Sequence, residues 1–332
     1  WSSDVCSSDH FCSPNYINMR RTDESTPLSP YLGHLHRKGT TRRKMNVNRR
    51  VFFLSVQAIL NAILIGFFAW LLVMLISLIT NIAFYGRFSF SDLSPAGNQL
   101  GWMVVFVPIA GSIIVGLMAR YGSTAIRGHG IPEAMEKIIL GESKIPPIIT
   151  FLKPISAAVS IGTGGPFGAE GPIIATGGAF GSLTGQVMHI SSSERKIILA
   201  AGACAGMSAI FGSPLAAILL AIELLLFEFS PRSIIPVALG CITGAGMHSL
   251  LFETDPVFAM PAIPAATDKA LAVYVVLGLI IGVIASLVSK SVYWVEDMFE
   301  KIPVHWMWWP AIGAVAVGVT GYFLYGDRKS VV

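Results

Sequence analysis

The chain has 332 residues, 53% of them hydrophobic and 13% charged, with a formal net charge of +4. Soluble globular domains carry about 25% charged residues, so this composition excludes a soluble fold and points to a polytopic membrane protein. The basic residues gather in 36–50, directly before the first apolar run, a pattern that marks the cytoplasmic side of a bilayer and a lipid-headgroup contact rather than nucleic acid.

Residues 1–50 read as a disordered basic tail on the cytoplasmic side, and its opening "WSSDVCSSD" has the look of a junction artefact. Residues 51–80 contain no charge and are long enough to cross a bilayer core, which takes about 20 helical residues. A polar link (85–100) leads to a second span (101–122), then to "STAIRGHG" and a short helix over 131–140, with Pro132 in its first turn. The apolar segment 145–165 is interrupted by Pro154 and ends in glycines. Further segments cover 172–190, 194–212 and 213–229, the last two meeting at Gly212-Ser213-Pro214. Residues 232–252, a Pro-rich connection (256–264), a long stretch (270–299) and a last one (306–326) complete the transmembrane region, 51–326. "GDRKSVV" reads as a junction scar over 327–332. Cys6, Cys12, Cys204 and Cys241 lack metal-ligand spacing and form no disulfide framework. No metal or cofactor is expected.

Half-length and broken helices at membrane depth are tolerated where they line a cavity, and their ends are used to hold ions. Helix N-termini suit anions. Gly177, Gly181 and Gly185, and the pair Gly202 and Gly206, stand four residues apart and predict close helix packing.

Glu170, in "GTGGPFGAEGP" (162–172), is an acid among glycines in an apolar chain. Two readings stand: a cap on the helix beginning at Gly171–Pro172, or a gating, proton-carrying group beside an anion path. In the second, the carboxylate sits on backbone N–H groups as an anion would, and an anion replaces it when it moves or takes a proton. The glycines do not fit a dinucleotide fingerprint, since Phe167 stands at the third glycine position. "GHGIP" (128–132) is a second Gly-rich turn before a helix, with His129 either an ordinary turn residue or a donor on the path. Glu223 lies deep in an apolar helix, facing water or paired with a base such as Lys153. No Ser/His pair, His-Glu-x-x-His helix or pair of aspartates occupies the spans, so an intramembrane enzyme is not expected.

"GHGIPE", "GPFGAEGP" and "GSPLAAILLAIE", in this order, resemble the ClC-type chloride channels and chloride/proton antiporters over about residues 50–325. The resemblance implies an all-α polytopic fold of broken, tilted helices in inverted repeats. It also implies a homodimer with one pore per subunit, and chloride as the transported ion rather than a cofactor. By motif position it makes Glu170 the gating and proton residue. Gly128, His129, Gly130, Ile131 and Pro132 become the first anion loop, and Gly168, Ala169, Gly171 and Pro172 the gate loop. Glu223 becomes a possible inner acid. Three positions depart from the family pattern: His129 stands where Ser is common, Ala169 where a basic residue precedes the gate, and Leu224 where proton-coupled members often carry the inner glutamate. The last inclines the reading toward weak or absent proton coupling. Most of a second repeat, with a further anion loop and an inner Tyr, is expected after the last segment, which makes the chain an N-terminal fragment. The rival is another secondary transporter with broken helices, for a different anion, a cation or a metabolite.

Overall fold

Nothing in residues 51–80 breaks a helix, and α1 (Val47–Thr80) runs through them without interruption in the computed structural model. The structure describes residues 47–127, 130–139, 143, 145–252 and 267–323. Residues 1–46 with Cys6 and Cys12, the connection 256–264 and the segment 327–332 lie outside the described residues. The first helix takes in Arg49 and Arg50, which the sequence reading assigned to the tail.

The other helices are α2 (Phe106–Tyr121), α3 (Gly130–Ile139), α4 (Pro147–Gly162), α5 (Glu170–Val187), α6 (Ser192–Phe211), α7 (Pro214–Leu220), α8 (Pro231–Leu251), α9 (Asp268–Glu300) and α10 (Trp309–Phe323). The described residues hold helices and turns and no strand. Among the described residues four segments are long and apolar enough to cross a membrane: Arg49–Tyr85, Gly101–Tyr121, Pro231–Leu251 and Lys269–Glu300.

Helix α6 sits at the centre, packed against α5, α8 and α1. Its residues from Ile197 to Gly206 are all buried, and most are small. That composition lets neighbours approach from every side. A Cβ added to Gly177 would lie 2.3 Å from the Gly202 carbonyl oxygen, and one on Gly202 would lie 2.3 Å from that of Gly177. Gly181 meets the Ile198 carbonyl oxygen in the same way, at 2.4 Å. The close packing read from the glycine spacing is therefore backbone against backbone.

In α1, Leu54, Ala58, Ala62, Ile65, Ala69 and Leu72 form a buried stripe with helical spacing, while Phe53, Leu60, Leu64, Phe67 and Leu71 are exposed. The buried side also carries Ser55, Gln57 and Asn61 and has small residues at Ala58, Ala62 and Ala69, whereas the exposed side is large and apolar, as expected of a helix between protein and lipid. Helix α9 buries none of its apolar span within the chain.

Two expectations change. Pro154 lies inside α4 and does not end it. Proline removes one donor and crowds the preceding turn, but α4 packs against α1 and α5 on either side of the break. The segment 213–229 starts as α7 and widens into a π-helical turn (Ala221–Leu226) that carries Glu223 and ends at Phe227, whose φ is 53°.

The start of α6 is joined to that of α1 by Arg50, whose Nε and Nη2 donate to Glu194 at 2.5 and 2.8 Å. Ser191 completes a capping box with Glu194. The bond from Arg50, ahead of the opposing effect of burial, holds the Glu194 carboxyl down at about 2, against an ordinary 4.5. A lowered carboxyl stabilises the fold at pH values above its unfolded value, and that contribution is lost as pH falls through about 2. Thermal unfolding in detergent should show the parent losing more stability than Glu194→Gln between about pH 6 and about pH 3. Equal losses in the two proteins would remove this pair from the acid response.

Candidate functional site

The third residue of α3 is Pro132 and the third of α5 is Pro172. Proline has no N–H, so the first-turn donors nearest each helix end are those of Gly130 and Ile131, and of Glu170 and Gly171. The two ends meet directly: a Cβ on Gly130 would lie 2.5 Å from the Gly171 Cα and 2.8 Å from its carbonyl oxygen. Glycine at position 130 permits this approach, whereas a Cβ on Gly171 would meet the Gly130 Cα at an ordinary 3.8 Å, and the approach places two positive helix ends side by side.

Both ends open on a cavity of about 680 Å³. Its wall includes Gly130, Gly168, Glu170, Gly171 and Pro172 from the two motif loops. Helix α4 adds Lys153, Ser156, Ala157, Ser160 and Ile161; α2 adds Pro108, Ser112 and Val115; α10 adds Pro310, Gly313, Ala314 and Val317. The turn Thr124–Arg127 adds Ile126 and Arg127. Among these described lining residues the charges are two cations, Arg127 and Lys153, and one acid, Glu170. A void of about 60 Å³ shares Pro108 and Val317 with the cavity and reaches Phe84 and Asn98.

Glu170 is the first residue of α5 and is half-buried. Ala169, buried, takes the N-cap position, and no side-chain cap bond is made there. The capping reading of Glu170 therefore does not hold: the helix starts one residue earlier than Gly171–Pro172, and the carboxylate lies on the cavity wall. Gly164, with φ +90°, turns the chain out of α4 toward this loop.

Lys153 is 5% exposed and donates from Nζ to the Ile126 carbonyl oxygen at 3.3 Å. Among the described residues it forms no ion pair with Glu223, which is exposed on the π-turn and takes no part in the cavity wall. Leu224 is half-buried. Ile131 and Pro132 follow Gly130 in the first turn of α3, Ile131 half-buried and Pro132 exposed. Gly128 and His129 lie outside the described residues. Among the described residues no cluster of His, Cys, Asp and Glu has the makings of a metal site.

The sequence reading missed Arg127, Ser112, Ser156, Ser160 and the α10 stripe. For the α4 and α10 residues the signal was spacing. Lys153, Ser156, Ala157, Ser160 and Ile161 repeat at three and four residues along α4, as do Pro310, Gly313, Ala314 and Val317 along α10.

A family model described as "Voltage gated chloride channel" matches residues 110–331, most of the chain. The chain belongs to this family. It is 27% identical over 289 residues to the H(+)/Cl(-) exchange transporter ClcA of Salmonella paratyphi B, covering 85% of this chain and 59% of the relative. A putative chloride channel protein, ClcB-like, of Ralstonia nicotianae is 25% identical over 221 residues, 65% of this chain and 52% of that protein. The chain thus spans little more than half the length of these relatives. Among solved structures, a slow cyanobacterial Cl-/H+ antiporter superposes with a TM-score of 0.66 at 20% identity, covering 80% of this chain and 64% of that one. A CLC-type fluoride/proton antiporter gives 0.67 at 18% identity, covering 83% and 66%. The family member is therefore an all-α polytopic membrane protein with the fold of the ClC transporters.

Proposed function

We propose that the chain carries the outer part of a chloride pathway, with the anion bound where the ends of α3 and α5 meet and Glu170 as its gate. The observation that carries this reading is the direct contact of Gly130 with Gly171 on the wall of a cavity that also holds Arg127, Lys153 and Glu170. Two helix ends and two cations favour an anion, and one carboxylate among them competes with it. The relatives support the choice of ion, since their names speak of chloride. Gly128, His129, Ile131 and Pro132 belong to the same anion loop, and Gly168 and Ala169 to the gate loop. The parent protein acts as a homodimer with a cytoplasmic N-terminus, beginning at the basic segment before α1.

Proton coupling is weak in this reading. Glu170 serves as the outer proton site, but Leu224 offers no carboxyl at the inner position, and Glu223 is exposed and takes no part in the cavity wall. Liposomes reconstituted with the full-length protein test both parts. Chloride efflux should exceed potassium efflux, and a chloride gradient should move few protons. Cation flux without anion flux would favour the rival transporter reading, and robust chloride-driven proton uphill movement would overturn the assignment of Leu224.

A further inference from the structure

Arg127 and Lys153 face the same cavity but are held in different ways. The Lys153 ammonium is buried and bonded to the Ile126 carbonyl oxygen. It fixes the turn Thr124–Arg127 from below, and the next residue along that turn is Arg127. The Arg127 side chain is exposed, and its guanidinium lies over the Trp306 ring, 4.4 Å from the centroid. A guanidinium held over a ring by its face keeps its edge donors for a ligand. Among the described residues no hydrogen bond or ion pair occupies those donors.

The platform under Arg127 is itself anchored. Trp306 opens a short 3-10 turn (Trp306–Trp308) before α10. In that turn Met307 is buried, and its carbonyl oxygen lies 2.7 Å from where a Cβ on Gly116 of α2 would be. Arg120 of α2 also reaches the Met307 sulfur, at 3.9 Å. The ring therefore belongs to a packed junction between α2 and α10, and the cation above it is positioned rather than swept freely through solvent. On the gate side, the loop before α5 brings no cation of its own to the cavity, because Ala169 stands next to Glu170.

We propose that Arg127, held over Trp306, is the residue that draws the anion into the cavity and sets its affinity there. This rests on the chloride-pathway reading above. The ligand class is a small monovalent anion, met by the free edge of a guanidinium whose charge stands with two helix ends.

The test uses chloride flux through the full-length protein in liposomes, measured against chloride concentration. Arg127→Gln should raise half-saturating chloride by about tenfold, the scale of one unit charge removed from a partly solvated site. Arg127→Lys should fall between it and the parent, keeping charge but losing the planar stack, and Trp306→Leu should behave like Arg127→Lys. A charge-specific arm separates binding from structure: Arg127→Cys, in a full-length background whose other reactive cysteines are replaced by Ser, is modified after folding. A cationic methanethiosulfonate should lower half-saturating chloride again, and an anionic one should raise it further. Cys204 and Cys241 are buried and stay out of reach. Identical half-saturation in the parent, Arg127→Gln and both modified forms overturns the proposal. A parent that passes no chloride overturns instead the pathway reading on which it rests.

Discussion

Chloride flux through Glu170→Gln should lose its dependence on pH and should match, at neutral pH, the flux the parent reaches only in acid. Glutamine keeps the size and planar end of the side chain but carries no charge and exchanges no proton. A carboxylate about 4 Å from a bound anion opposes it by about 4 kcal/mol at an effective dielectric of 20. In the parent that repulsion disappears only when the carboxylate is protonated or moves away. Glu170 is placed for this effect: it is the first residue of α5, on the cavity wall. The measurement is anion efflux at a series of external pH values, with proton movement recorded in parallel. Any residual proton movement driven by chloride should vanish in the variant. A variant that follows the parent's pH curve would take the gate away from Glu170.

Much of this site was legible before the fold was known, because it depends on local backbone chemistry. Gly130-Ile131-Pro132 and Glu170-Gly171-Pro172 each announce a helix end, and the glycines announce close approach. Their meeting is the step that local pattern does not carry: Gly130 and Gly171 are joined by tertiary packing of α3 on α5. The role of Pro154 was misjudged for the same reason. Proline predicts a break from local sterics, and α4 continues because neighbouring helices hold both halves. Arg127 was hidden because a cation at the end of a loop looks like any interfacial arginine. Its partner Trp306 lies far along the chain, and only the fold brings the ring beneath it. The α1 faces were equally obscure, since Leu and Ile occur on both and only a few polar and small residues mark the buried one.

The core offers the other large effect, and it carries its own control within one helix. Gly244 and Gly246 stand two residues apart on α8. A Cβ on Gly244 would lie 2.4 Å from the Ala205 carbonyl oxygen of α6, whereas nothing lies within 4 Å of one on Gly246. Both positions are helical, so the gain from replacing glycine with alanine is the same in each, about 0.8–1.0 kcal/mol. At Gly246 that gain should stand alone and leave the protein unchanged or slightly more stable. At Gly244 it is opposed by a clash with a carbonyl oxygen that belongs to a helix backbone and has no rotamer through which to retreat. Overpacking of a well-packed core costs about 1–3 kcal/mol when side chains can adjust, and here α6 and α8 must separate instead. Gly202→Ala should be at least as damaging, because its Cβ meets the Gly177 carbonyl oxygen at 2.3 Å, where the same central helix packs on α5. Thermal unfolding and gel filtration in detergent should therefore rank Gly246→Ala with the parent, and place Gly244→Ala and Gly202→Ala well below it. Equal melting of Gly244→Ala and Gly246→Ala would show that α6 and α8 do not meet through their backbones.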